Sequence, residues 1–342
     1  MNATYATVTS SAGLWDRSTE GRIEVRGADR QAWLHGLTTN DVTSLRAGAG
    51  CYAAMLTAQG RMTTDMRILV REDAILVDVP GSLVEGLLDR LDMFVVAEDV
   101  RLEDVSATLA RLAVYGPRAS DIIADALGAA DPAARESFRE SLRTFRPNEH
   151  VTREWRSPGG SASPVVIARA RDLGWLGFDL YVSVGVKAAL ERALTGAGGH
   201  AADEALWETL RIERGVPRFG VDMDEHTIPL EAGIEDEAIS FTKGCYVGQE
   251  IVVRVMHRGH GRVARRLVGL VLERDADVPS TSAAILVEGE TVGRITSATW
   301  SPALGRPIAL AYVHRDHADA STVEVAVGDR HVHARLGDRH FS

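Results

Sequence analysis

Beyond about residue 260 the chain breaks into six short β-rich runs, residues 267–272, 284–287, 292–297, 308–313, 321–327 and 332–336, split by turn residues. Runs of this length and spacing are the pattern of a small barrel or sandwich. The preceding residues read differently. A strand at 21–25 turns at Gly27, and Asp29 is placed to cap a helix with Ala32, Trp33, Leu34 and Leu37 on its apolar face. Residues 51–57 and 62–70 flank Ala58-Gln59-Gly60 as a hairpin, and 74–79 adds a strand. Helical spacing in Leu83, Val84, Leu87, Leu88 and Leu91 gives way to strands at 109–115, 165–168 and 178–182, then to helices at 186–194 and 204–214. The stretches 128–134 and 157–164 read as surface loops.

A chain of 342 residues exceeds the usual limit of one hydrophobic core, so two or three units are expected. The texture places a mixed α+β body over residues 1–256, itself expected to comprise two subdomains, and a C-terminal β-barrel over 257–342. The 38 basic and 48 acidic residues give a net charge of −10, which disfavours nucleic acid and anionic membranes unless a local basic site exists. No basic segment precedes an apolar stretch at the start, where Arg17 is the first cation, and no run approaches a membrane span. A cytoplasmic protein is the expectation.

The two cysteines, Cys51 and Cys245, lie far apart without partners at metal-ligand spacing, so neither a disulfide scaffold nor a resident metal is expected. Their surroundings differ. Cys51 sits in a strand pattern and reads as core, the ordinary place for a cysteine. Cys245 lies within Thr242-Lys243-Gly244-Cys245-Tyr246-Val247-Gly248-Gln249-Glu250. A thiol acts as thiolate, and a nearby cation such as Lys243, or a helix starting near Gly248, favours that form. Gly244 and Gly248 permit close approach, while Gln249 and Glu250 add polar groups that orient a reacting partner. The β-branched run Ile251, Val252, Val253 and Val255 argues against the helix.

This nonapeptide resembles the signature of YgfZ-type folate-binding proteins, whose mitochondrial relatives assist iron-sulfur cluster assembly and whose superfamily includes the T-protein aminomethyltransferase. The segments Arg214-Gly215-Val216-Pro217-Arg218-Phe219-Gly220 with Asp222, and Thr227-Ile228-Pro229-Leu230-Glu231-Ala232-Gly233, resemble the run that precedes it in that family. Leu37-Thr38-Thr39-Asn40-Asp41, Gly60-Arg61-Met62, and Ser301-Pro302-Ala303-Leu304-Gly305 through Ala311-Tyr312-Val313 extend the likeness over nearly the whole chain. The resemblance implies a T-protein-like folate-binding body with a central cavity, closed by the C-terminal barrel. It places Asp65 at the one-carbon end of tetrahydrofolate, Asp179 on the pterin, where a carboxylate accepts two N–H groups in a fork, and Tyr52 in the cavity lining. Strand-end carboxylates and a core tyrosine are the structural alternatives for these three.

One departure matters. The T-protein pattern carries an arginine in Ala-Arg-Asp, where this chain reads Leu206-Trp207-Glu208 ahead of Arg211-Ile212-Glu213. The leading reading is therefore a tetrahydrofolate-binding factor for assembly or repair of a subset of iron-sulfur proteins, with Cys245, Lys243 and Asp65 as working groups and iron-sulfur client or assembly proteins as partners. The first alternative is a folate-dependent aminomethyl or one-carbon transferase. The second is an RNA or tRNA modification factor using the basic stretch between Ile251 and Leu272, where Arg254, Arg258, Arg262, Arg265 and Arg266 stand with His257 and His260 and no acid. Arg254 and Arg258 are the candidates for the acidic folate tail. No aromatic interleaves the stretch, which disfavours single-stranded RNA. The pairs His257/His260, His314/His317 and His331/His333 lack a third ligand nearby in sequence and read as surface histidines.

Overall fold

A computed structural model describes residues 4–128, 131–157, 160, 162–257 and 261–341. It separates the chain into two units, residues 1–53 with 65–204, and residues 54–64 with 205–342. In chain order α1 (Tyr5–Ser10) leads to β1 (Gly13–Asp16), β2 (Gly21–Arg26), α2 (Arg30–Leu37), β3 (Gly50–Leu56), β4 (Met62–Val70) and β5 (Ile75–Val79). Then come α3 (Val84–Asp92), β6 (Arg101–Asp104), β7 (Leu109–Tyr115), α4 (Ala119–Leu127), α5 (Pro132–Thr144) and β8 (His150–Arg156). β9 (Ala162–Ala170), β10 (Gly177–Ser183), α6 (Val184–Gly196) and β11 (His200–Ala201) follow. Among the described residues these strands form a six-stranded sheet, β11-β1-β7-β10-β9-β8, and a five-stranded sheet, β3-β4-β5-β2-β6.

Period-two alternation decides what meets what. Phe178, Leu180 and Val182 of β10, with Leu112 and Val114 of β7, bury against Ile122, Ile123, Phe138, Leu142, Leu190 and Leu194 of α4, α5 and α6. Each such fully buried aliphatic contributes roughly 1.5–3 kcal/mol relative to exposure. The intervening residue Tyr181 turns to the opposite face and joins Val166, Ala168, Leu69 and Leu76. Asp179 and Arg111 have the same parity on the paired strands, so charge lies in the layer between the two sheets.

The second unit carries α7 (Glu204–Glu213), α8 (Pro229–Ala232), α9 (Glu235–Ala238) and α10 (Gln249–His257). Its strands β12 (Arg265–Leu272), β13 (Ala284–Val287), β14 (Glu290–Ser301), β15 (Arg306–His314), β16 (Thr322–Val327) and β17 (Arg330–Gly337) follow. They close into a barrel in the order β12-β15-β14-β13-β16-β17, which decides between barrel and sandwich. Leu270, Ile285, Ile295, Ala311, Val313 and Val325 fill it. The α+β fold with a small C-terminal barrel is thus as expected.

Local expectations fare unevenly. Asp29 does not cap α2: its carboxylate accepts the backbone N–H of Asp99 at 2.8 Å, which takes the oxygen away from the helix. The loop expected over 128–134 ends early, because Asp131 caps α5 by accepting the Ala134 N–H at 2.9 Å and Pro132 takes the first turn. Ala129 and Ala130 lie outside the described residues, as do Pro158, Gly159 and Ser161 of the other expected loop, and Ala162 already belongs to β9. The run 251–255 forms a helix, α10, despite its β-branched residues. Among the described residues no helix is long and apolar enough to cross a membrane.

Candidate functional site

Tyr52 of β3 and Asp65 of β4 come together in the first unit, where the Tyr52 hydroxyl donates to Asp65 Oδ2 at 2.7 Å. Both are half-buried. Loss of solvent pushes the Asp65 carboxyl up to about 6; the Tyr52 hydrogen bond opposes this, and the charges of Asp172 and Glu20 reinforce it. A carboxyl titrating there can hold or release a proton near neutrality, as general acid–base chemistry requires.

Asp179 is fully buried on β10. Its Oδ2 accepts from Arg67 of β4 and from Arg111 Nη2 of β7, the latter at 2.7 Å, while its Oδ1 has no hydrogen-bond partner among the described residues. Arg111 Nη1 reaches Asp78 Oδ2 at 2.8 Å, and the Tyr181 hydroxyl donates to the same oxygen at 2.7 Å. Asp172, on the turn between β9 and β10, takes Arg67 Nη2 at 2.5 Å and Arg111 Nη2 at 2.6 Å. Burial works against the Asp172 charge, yet the two guanidiniums outweigh it and hold the carboxyl down to about 2. The sequence reading picks out Asp179 and misses Arg67, Arg111, Asp78 and Asp172. The available signal is a charge set mid-strand between apolar neighbours, as in Met66-Arg67-Ile68, Ala110-Arg111-Leu112 and Val77-Asp78-Val79. Such charges are buried only when paired.

Cys245 lies in the second unit on the exposed loop between α9 and α10, and Cys51 is half-buried at the start of β3; no disulfide joins them. The Lys243 ammonium sits over the Tyr246 ring, 5.0 Å from its centroid, and burial pushes the Tyr246 hydroxyl up to about 12. Gln249 Oε1 accepts from the Tyr246 N–H at 3.4 Å, and Glu250 is exposed. The two motif glycines differ. Gly248 has φ +84°, and a Cβ there would lie 2.5 Å from the Thr57 carbonyl and 2.9 Å from Leu56 Cβ. Reciprocally, Gly60, at φ +73°, faces Ile251, whose Cβ would lie 2.7 Å from an added Cβ. A Cβ on Gly244 would meet nothing within 4 Å. Residues 56–60 therefore brace the loop through Gly248, whereas nothing among the described residues crowds Gly244.

The run from Arg211 to Gly233 is a structural hub of the second unit. Arg211 Nη1 donates to Asp222 at 2.8 Å and Nη2 to Ser297 Oγ at 2.8 Å, while Glu208 grips both Arg211 and Arg218. Asp222, fully enclosed, also accepts from Thr296 and Ser297 at 2.6 Å each. Trp207, the residue that the sequence reading sets against the T-protein pattern's arginine, is buried. In the basic stretch Arg254, Arg262 and Arg266 are exposed, but Arg265 pairs with Glu231 at 3.2 Å and lies over Tyr312 at 4.3 Å. Arg258, His260 and the His257 ring lie outside the described residues. Among the described residues His314 Nδ1 lies 3.5 Å from Asp316 and His331 Nδ1 3.6 Å from Glu324.

Residues 1–243 match the family model described as the GCVT N-terminal domain, and residues 265–342 match the glycine cleavage T-protein C-terminal barrel domain. An aminomethyltransferase of Rubrobacter xylanophilus is 32% identical, with 98% of this chain and 84% of that one covered. One of Streptomyces coelicolor is 31% identical, with 96% and 85% covered. A crystal structure of the glycine cleavage system aminomethyltransferase T from Bartonella henselae superposes with TM-score 0.84 over 98% of this chain and 88% of that one, at 19% identity. That likeness concerns the fold.

Proposed function

We propose, since the chain belongs to the glycine cleavage T-protein family, that it binds tetrahydrofolate and performs one-carbon transfer in the manner of an aminomethyltransferase. The observation that carries this reading is the Tyr52–Asp65 pair, a carboxyl held near neutrality beside an oriented hydroxyl. Tetrahydrofolate, when bound, supplies a ring nitrogen that accepts the one-carbon unit. The residues fit its pterin: Asp179 Oδ1 is an enclosed acceptor with no partner among the described residues, and a ring N–H would satisfy it. Asp65 in its ionised form takes up the proton that the acceptor nitrogen loses, and Tyr52 fixes the carboxylate that does so.

Reconstitution with an aminomethyl-loaded lipoyl carrier and tetrahydrofolate, followed by ammonia release, tests the reading. Transfer should rise with pH through about 6 as Asp65 ionises, and Asp65→Asn should lower kcat by about 10²–10⁴-fold. Absence of transfer by the wild-type protein with an active carrier would sink the proposal.

A second reading, a YgfZ-type factor for iron-sulfur proteins, rests on the exposed Cys245 in its braced loop and on Trp207 replacing the arginine. Its test is complementation: Cys245→Ala, folded and folate-binding, should fail to restore iron-sulfur enzyme activities in a deletion strain. Full restoration would remove the thiol from the mechanism. Arg265, tied to Glu231 and Tyr312, leaves a thinner basic face for an RNA partner.

A further inference from the structure

The charges between the two sheets of the first unit form a closed ring. Arg67 and Arg111 each bridge Asp179 and Asp172, and Arg111 reaches on to Asp78. Two of these acids stand on strands: the Asp179 side chain is 0% exposed and that of Asp78 3%. Asp172 differs on both counts. It lies on a turn and its side chain is 31% exposed. Strand residues hold their places through the ladder, whereas a turn residue has its position set by side-chain partners.

We infer that Asp172 is a positioning residue for ligand recognition at Asp179: by drawing Nη2 of both arginines to the turn, it keeps Asp179 gripped through Oδ2 alone and leaves the enclosed Oδ1 without a hydrogen bond. The inference rests on the folate reading of Asp179. Arginine and carboxylate prefer a fork in which two N–H groups meet both oxygens. Here Asp172 takes one arm of that fork from Arg67, at 2.5 Å, and shares the corresponding arm of Arg111, at 2.6 Å. With its carboxylate removed, the freed guanidinium arms close on Asp179 Oδ1 and occupy the acceptor that a ring N–H would use.

Charge points the same way. Arg17 from the β1–β2 turn, Arg22 from β2, Tyr115 from β7 and Tyr181 from β10 interact electrostatically with members of the ring, while Glu20 and Tyr52 act on Asp65. The Asp172 charge is one of those that raise the Asp65 carboxyl, so its loss acts on Asp65 as well.

The test uses the full chain with tetrahydrofolate in calorimetry, and a carbon-13 titration of the Asp65 carboxyl. Asp172→Asn should weaken tetrahydrofolate about tenfold or more at pH 7, the order of one charge-assisted hydrogen bond. Asp172→Glu should restore most of that loss, and the Asp65 midpoint in Asp172→Asn should fall below its wild-type value. Asp172→Ser serves as a second neutral variant should the first not fold. Wild-type affinity in Asp172→Asn, in a protein whose Asp179→Asn variant has lost binding, overturns the inference. So does weakened binding with an unmoved Asp65 midpoint, which marks a merely structural turn. If the wild-type protein takes up no tetrahydrofolate, the folate reading itself falls, and the inference falls with it even where the Asp65 midpoint moves.

Discussion

Asp65 works against the fold that holds it. Its carboxyl titrates at about 6 in the folded protein, above the value of an ordinary aspartate. A group whose pKa is raised on folding contributes stability that is fully present below the unfolded pKa and lost as pH rises through the folded one. Above about pH 6 the ionised Asp65 is therefore a destabilising charge. Asp65→Asn should raise Tm at pH 8 and leave it nearly unchanged at pH 4, and equal Tm differences at both values would contradict this. Tyr52 donates to the ionised form and so holds the carboxyl down. Tyr52→Phe should move the Asp65 midpoint above about 6, seen as a parallel upward displacement of the acidic limb of transfer activity. On the proposed transfer reading, a carboxyl that costs stability in its ionised state is placed for function, not packing.

Between the β3–β4 turn and the start of α10 the chain meets where glycine is required. A methyl on Gly248 would press on the Thr57 carbonyl at 2.5 Å in a left-handed backbone, whereas one on Gly244 meets open space. Gly248→Ala should cost about 1–3 kcal/mol in thermal unfolding, and Gly244→Ala should stay within about 0.5 kcal/mol. Equal losses would mean that the brace is not what orders the loop. The sequence alone distinguishes neither glycine, because the partner of Gly248 is nearly 200 residues upstream. The barrel strands, by contrast, are legible since each is bounded by its own turn residues, and the runs expected at 284–287 and 308–313 fall within β13 and β15. α5 escapes notice because its buried stripe is only Phe138 and Leu142. α10 forms against the strand preference of its β-branched residues, with Ile251 packed on Gly60 and Val252 buried, which shows tertiary contact overriding propensity. Cys245 stands out by its flanking residues, and Asp65, Asp179 and Tyr52 through a resemblance, whereas Arg67 and Arg111 show only as charges between apolar neighbours and nothing local in the sequence names Asp179 as their partner.

At the scale of the molecule the second unit is built from two stretches of chain, with residues 54–64 serving as part of its structure. Met62 N–H donates to the Thr227 carbonyl at 2.9 Å, and Arg61 reaches the His226 carbonyl. A fragment of residues 205–342 should keep its closed barrel yet lose amide protection in α10, whose Ile251 would lack Gly60. Full protection of α10 in that fragment, by hydrogen exchange, would show the hairpin tip to be dispensable. The discontinuity also imposes an order in time during synthesis. Met55, Leu56 and Met62 end at 1%, 1% and 0% exposure, but the rest of their unit begins at residue 205, some 205 − 64 = 141 residues later. At about 5–20 residues per second, the ribosome leaves that apolar tip waiting on the order of 10 s. For that interval the nascent chain carries apolar side chains without the rest of the unit that covers them, a window in which aggregation competes with folding.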